Sequence, residues 1–395
     1  MSTAPTIGQQ NGSSRTIALD CRYFLGNQPC LWHKREGALC VCDHYRQTTE
    51  HLLVIKLGAM GDVLRTTALL PGLAGMHPSA SITWITKPES VPLLQNNEYL
   101  TEVVSYDADA LTVLQSRSFD RVINLDADKI SAGLATMAQA PRKDGFVLSP
   151  EGQIRPTNPA AQTWFELGLF DDLKRKNRRT YQSLMLDILG LPQGHHHYVF
   201  ELTPAERSRA ERYLESLGID PALPLVGLNT GAGGRWELKR WRMDGFAELI
   251  GQLHEEMGAQ VLLLGGKEEK ERNARLRAEA SCPVFDAGCD HAVRDFAALV
   301  QHCDVVVTGD TLALHIALAV KTRVVALFGP TSAPEIELYD QGEKVVPDME
   351  CLACYKTTCD FVPNCMDLIR TDLVMEATAR QLRLAQKKGV AHAAD

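Results

Sequence analysis

Short apolar or β-branched runs alternate with longer helix-like stretches along this chain, and the alternation occurs twice. "HLLVIKL" (51–57), "SITWITK" (81–87) and "RVINLD" (121–126) form the first set. "LPLVGLN" (223–229), "AQVLLLGG" (259–266), "DVVVTGD" (304–310) and "RVVALFG" (323–329) form the second. Strands followed by helices in this way build a parallel sheet covered on its faces, so the chain reads as an α/β protein with two doubly wound halves. The expected divisions are a cysteine-containing extension (1–48), a first α/β domain (49–205), a second (206–365) and a terminal helix and tail (366–395). A less regular region, about 145–205, is expected to form loops and linking helices. Near the end, Ile369, Leu373, Ala377 and Leu384 fall on one helical face, which predicts a closing helix.

Composition narrows the class. With 395 residues, 45% of them hydrophobic, the chain can bury a sizeable core. A net charge of −8 gives no general footprint for nucleic acid, so an anionic ligand must be met by local basic groups. The N-terminus "MSTAPTIGQQNGSSRTIALD" has no apolar leader, and no run is long enough to span a bilayer, so a cytoplasmic location is expected.

Two domains of this kind, facing each other, would bring the carboxyl ends of both sheets to a shared cleft. In "LLVIKLGAMGDVLRTTALL" (52–70) a strand passes into a helix, and Asp62 stands in the turn between them. Gly58 and Gly61 permit a tight bend and close ligand approach. Asp62 alone reads equally as a helix N-cap. In the second half, "LNTGAGGRWELKRW" (228–241) offers Gly231, Gly233 and Gly234, then Lys239 and Arg240, a loop suited to diphosphate oxygens. "TGDTLALHIALAV" (308–320) runs from strand to helix with Asp310 and Thr311 at the start and His315 a turn later, and helix N-termini receive phosphate readily. His315 reads also as a core histidine.

Taken together, "VIKLGAMGDVLRTT", "NTGAGGRWELKRW", "LLLGGKEEKERN" and "TGDTLALHIALAVKTRVVALFGPTSAPE" resemble glycosyltransferase family 9, the ADP-heptose:lipopolysaccharide heptosyltransferases, over about residues 50–370. The resemblance implies a GT-B fold of two Rossmann-like domains facing a cleft, with a C-terminal closing helix that usually crosses back onto the first domain. It implies an inverting, metal-independent transfer of a heptose or related sugar from a nucleotide-diphosphate donor, ADP-heptose foremost, to a lipopolysaccharide core or other glycan acceptor, lipid-linked or otherwise. Asp62 takes the place of the family's proposed general base, and Lys239 that of the lysine neutralising the departing diphosphate. Thr230, Gly231, Asp310, Thr311 and His315 match the donor side; Glu268, or its neighbour Glu269, falls near an acidic residue that contacts the nucleoside. Leu312 departs from the glycine common in the family and puts donor identity in question. Two alternatives stand beside this reading: a protein heptosyltransferase of the autotransporter-modifying type, and a non-catalytic nucleotide-sugar-binding protein on the same frame. Nucleotide-sugar 2-epimerases share the frame, but the Gly-Asp-Val-Leu turn argues against them.

Other features stand outside these motifs. Lys56 and Arg65 flank the Asp62 turn and read either as contacts for an acidic acceptor or as solvated charges. "KRKNRR" (174–179) reads as a contact for an anionic acceptor or the inner face of the cytoplasmic membrane, or as a solvated loop. His195, His196 and His197 read as an exposed turn rather than a metal site. Of eleven cysteines, Cys351, Cys354, Cys359 and Cys365 lie at C-x2-C-x4-C-x5-C spacing, which some family members resemble. They read as a structural zinc or iron site, or as free thiols or a reversible disulfide. Cys21, Cys30, His33, Cys40, Cys42 and His44 form a second group with the same alternatives, while Cys282, Cys289 and Cys303 read as ordinary buried thiols.

Overall fold

The computed structural model describes residues 16–194, 196–234 and 236–392. Two compact units result: the first comprises the chain up to Ala59 with Leu69–Phe165 and Met185–His196, the second Met60–Ala68, Glu166–Leu184 and everything from His197 onward. The chain therefore passes between units more than once, and the short segment carrying Asp62 belongs to the second.

The first unit is built on strands β1 (Glu50–Ile55), β2 (Ala80–Thr86), β3 (Glu102–Ser105), β4 (Arg121–Asn124), β5 (Arg142–Leu148) and β6 (Ile154–Pro156). Their order is β3-β2-β1-β4-β5-β6, parallel except for the antiparallel β6. Central β1 sets Leu53 opposite Thr83 on one side and Val122 on the other. Helices Ala108–Ser116 and Lys129–Met137 are capped by Asp107 and Asp128, whose carboxylates accept from amides of the first turn. They pack Ala110, Leu114, Leu134 and Ala135 onto Leu53, Ile55, Ile85 and Val122. Arg121 is buried here, its Nε 2.6 Å from Asp144 and its Nη2 donating to the Leu189 carbonyl at 2.7 Å, so the buried charge is paired and hydrogen-bonded.

The second unit holds β7 (Leu225–Asn229), β8 (Gln260–Leu264), β9 (Phe285–Asp286), β10 (Val305–Gly309), β11 (Arg323–Leu327) and β12 (Gly342–Val345). The order β12-β11-β10-β7-β8-β9 is parallel throughout, a doubly wound sheet whose strand order reverses between β7 and β10. Helix Pro204–Ser216 starts with a capping box between Thr203 and Glu206. Arg294 bonds the same glutamate and holds its carboxyl down at about 2.

The terminal helix runs Thr371–His392. It packs on helix Met243–Met257 and on β10, β11 and β12 of its own unit, burying Val374, Ala377, Thr378, Gln381 and Leu382. Its inward face differs from the expected stripe: Leu373 and Leu384 are each 42% exposed. The cause is the helix start. Ile369 precedes Thr371 and lies in the turn, where its carbonyl accepts from Trp241 Nε1 at 3.0 Å, so counting a helical face from Ile369 turns it away from the core. Among the described residues no helix is long and apolar enough to cross a membrane.

Candidate active site

Asp62 lies in helix Met60–Thr66 as its third residue. It is therefore inside the first turn rather than at an N-cap, where a carboxylate still complements the helix dipole. Its side chain is 37% exposed and pairs with Arg65 Nη2 at 2.9 Å. Arg65 is largely enclosed, and its guanidinium stacks over the Tyr181 ring 3.8 Å from the centroid. Burial opposes the charge on Arg65, but Asp62, Tyr181 and Glu335 outweigh it and raise its pKa further. Arg65 is thus neither a solvated charge nor open to an acceptor; it fixes the Asp62 carboxylate.

Lys56 also departs from both expected readings. It is buried in the first unit in an ion pair with Asp126, whose other oxygen accepts from the Leu57 and Gly58 amides at 2.6 and 2.9 Å. Asp126 ends the "RVINLD" run, and a carboxylate at the end of a buried strand was the available sequence signal.

Gly61 has a different purpose from the one its sequence suggests. A Cβ there would lie 2.6 Å from His315 Cδ2, so the missing side chain admits the histidine ring. His315 is buried, and its Nδ1 meets the Tyr198 hydroxyl at 3.1 Å. Burial, then Arg65, push its pKa down to about 4, so the ring is neutral at pH 7 and supports the Asp62 turn from beneath.

The donor-side motifs converge in the same unit. Lys239, in the 3-10 turn Glu237–Lys239, donates to the Asp310 carbonyl at 2.9 Å and to its carboxylate at 3.2 Å. Burial pushes the Asp310 carboxyl up, but Lys239 and His315 overcome it and the net shift is downward. Thr311 caps helix Leu312–Ala319, accepting from the Ala313 amide, and Asn229 Nδ2 reaches Thr308 and Gly231 across the strand ends. Leu312 is the first residue of that helix.

Thr230 and Gly231 are occupied internally. Thr230 donates its hydroxyl to Asn273 at 2.5 Å, and a Cβ at Gly231 would fall 1.9 Å from Glu269 Oε1. Glu269 is buried and accepts from the Gly266 amide, whereas Glu268 is exposed beside Gly233 and Gly234. Residues the sequence did not single out complete the neighbourhood: Tyr181, Tyr198, Trp236, Tyr355 and Glu335, whose carboxyl burial pushes up against the pull of Arg65. Of these, only Trp236 and Glu335 fall within the motifs quoted from the sequence.

Neither cysteine group supports the expected zinc or iron. Among the described residues no three His, Cys, Asp or Glu side chains are gathered closely enough to hold a metal ion. Cys365 is buried against Gly329, and burial, with Cys354, Cys351 and Cys359 nearby, pushes its thiol up to about 11. At the N-terminus, Cys30 caps helix Leu31–Glu36, His33 bonds the Ala38 carbonyl, and His44 stacks on Trp32 and pairs with Glu36. Cys21, Cys30, Cys40 and Cys42 line one apolar cavity of about 560 Å³ with Trp32 and His33. Cys289 and Cys303 are buried as expected, while Cys282 is half-buried. Of the histidine triplet, His195 lies outside the described residues; exposed His197 meets Gln341 and tilts on Tyr339.

A family model described as glycosyltransferase family 9 (heptosyltransferase) matches residues 111–364, more than half of the chain. Lipooligosaccharide heptosyltransferase 2 of Campylobacter jejuni is 28% identical over 159 residues, 38% of this chain and 49% of that protein, so the match spans about half the length of that relative. Among solved structures, a family 9 glycosyl transferase from Veillonella parvula shares the fold with a TM-score of 0.69 at 19% identity, over 85% of this chain and 98% of that one. The ADP-heptose lipopolysaccharide heptosyltransferase II of Escherichia coli follows at 0.64 and 20%, over 85% and 99%. At these identities the likeness is one of fold: two parallel-sheet α/β domains of the GT-B class with a closing helix.

Proposed function

Because the chain belongs to glycosyltransferase family 9, we propose that it is an inverting enzyme that moves a heptose or related sugar from a nucleotide-diphosphate donor to a lipopolysaccharide core or similar glycan acceptor. Asp62 is the general base. It removes the proton from an acceptor hydroxyl as that oxygen attacks the anomeric carbon, and the bond from that carbon to the diphosphate oxygen breaks on the opposite face. The observation that carries this reading is the Asp62 side chain itself: a carboxylate left 37% exposed while Arg65 fixes its position. A carboxylate serving only the helix dipole would not need a buried guanidinium to orient it.

Lys239 meets the charge that grows on the leaving diphosphate, aided by amides at the start of helix Leu312–Ala319. Lys239 then exchanges part of its bond to Asp310 for the phosphate. Exposed Glu268 is the candidate for the nucleoside hydroxyls, since Glu269 already fills the space over Gly231. ADP-heptose is the proposed donor, named for the Escherichia coli structure of the same fold. Arg175, Lys176, Arg178 and Arg179 remain exposed and offer a basic surface to an anionic, lipid-linked acceptor on the cytoplasmic side of the membrane.

Asp62→Asn tests the base. It preserves shape but cannot take a proton, so transfer should fall by roughly 10²–10⁴-fold while ADP affinity measured by calorimetry stays near wild type. Transfer at the wild-type rate would leave Asp62 with a structural role only.

A further inference from the structure

The cysteine-bearing loop 351–365 has no part in the chemistry above, yet the structure sets one of its residues against Trp236, whose ring neighbours Lys239. Ala353 and Tyr355 donate their amides to the Gly329 and Pro330 carbonyls at 3.1 and 2.8 Å, which docks the loop on the segment following β11. Both adopt left-handed backbone conformations, with φ of 56° and 52°, that are uncommon for residues with a side chain. Such a conformation persists where its surroundings impose it. Farther along, Cys365 and Met366 press against Gly329 so closely that a Cβ there would lie 2.6 Å from the Cys365 sulfur.

The result is a fixed aromatic ring. The Tyr355 hydroxyl accepts from the Ser332 amide at 3.2 Å. Lys174 Nζ lies 4.7 Å from the ring centroid on one side, and the Trp236 ring meets it edge-on at 6.4 Å. Trp236 in turn carries Lys239 Nζ at 5.5 Å from its own centroid. An edge-to-face pair within about 7 Å and cations within about 6 Å of a ring are favourable contacts. Lys174, Tyr355, Trp236 and Lys239 therefore form one continuous chain of ring and cation contacts.

We infer that Tyr355 is a positioning residue for the donor diphosphate, delivered by the cysteine loop to hold Trp236, and through it Lys239, where the leaving group is received. The inference rests on the donor reading above. Trp236 sits in a glycine-rich loop whose sole regular element, among the described residues, is the turn Glu237–Lys239, and Tyr355 packs on it from outside that loop.

Calorimetry with ADP and with inorganic pyrophosphate tests it on the full chain. Tyr355→Ala should weaken both by about fivefold, and Tyr355→Phe, which keeps the ring, should recover to within about twofold of wild type. Lys174→Met removes a cation from the Tyr355 ring without touching the loop and should weaken both by about twofold, so the inference stays testable if the alanine variant does not fold. In steady state Tyr355→Ala should raise the donor KM more than it lowers kcat. Wild-type affinity in Tyr355→Ala, or equal losses in the alanine and phenylalanine variants, would overturn the inference. Failure of the wild type to bind either probe would instead overturn the donor reading.

Discussion

Replacing Gly61 with alanine perturbs the contact on which the Asp62 turn rests. An added Cβ starts 2.6 Å from His315 Cδ2, and ordinary contact begins at 3.4 Å, so the ring or the helix must move by about 0.8 Å. The ring has little room, because Tyr198 engages its Nδ1 and both side chains are buried. Overpacking of this kind costs about 1–3 kcal/mol, while alanine in a helix recovers about 1 kcal/mol relative to glycine, so the net effect is a loss of up to about 2 kcal/mol. Asp62 is the next residue, and a displacement of that size reaches the scale at which transfer slows by about 10²-fold. Gly75→Ala is the control: a Cβ there meets nothing within 4 Å in helix Leu70–Met76, so that variant should gain about 0.5–1 kcal/mol and keep its rate. Urea unfolding and a donor-turnover assay on both variants decide the matter. A Gly61→Ala protein as stable and as fast as Gly75→Ala would refute the packing argument.

His315 makes stability depend on pH. Its folded pKa is depressed to about 4 from the usual 6.5, so between these values the unfolded chain binds the proton and the folded one does not. Stability is therefore intact above about 6.5 and declines toward 4, at about 1.4 kcal/mol per unit and about 3 kcal/mol in all. Urea midpoints from pH 7 to 5 should fall more steeply for wild type than for His315→Gln, and parallel slopes would remove His315 as the cause. Lys239→Met should weaken ADP binding and slow transfer, and should also destabilise the fold, because Asp310 keeps its burial and loses its cation. Adding Asp310→Asn should restore stability but not transfer, as read by thermal unfolding and turnover; recovery of both would place the diphosphate elsewhere.

The strands legible in the sequence are those in the sheet interiors. β1, β2 and β4, and β7, β8, β10 and β11, are almost wholly buried and read as short apolar or β-branched runs. The edges, and β5 next to the β6 edge, were not legible. β3, β9 and β12 are mostly half-buried, β6 is three residues, and β5 begins with charged "RKD", so their pairing depends on neighbours distant in sequence. The candidate site divides in the same way. Asp62, Lys239, Asp310, Thr311 and His315 sit at strand-to-helix junctions that a local motif describes. Tyr181, Tyr198 and Tyr355 come from segments with no such pattern, and nothing local indicated that they would gather around Arg65 and Glu335. For Arg65 and Lys56 the sequence suggested solvent or ligand, whereas Lys56 proved to be paired with Asp126, which folding brings to it, and Arg65 with Asp62 in its own helix.

The repeated passage of the chain between units bears on synthesis. Helix Met60–Thr66 leaves the ribosome early, but His315, which packs beneath Gly61, emerges about 250 residues later. A contact that distant in sequence forms late and slowly, because the loop it closes must first be ordered. During translation Asp62 therefore waits without its supporting ring. The general base proposed here acquires its setting only after β10 and helix Leu312–Ala319 have been made, so the nascent chain cannot present a finished catalytic turn before its second sheet exists.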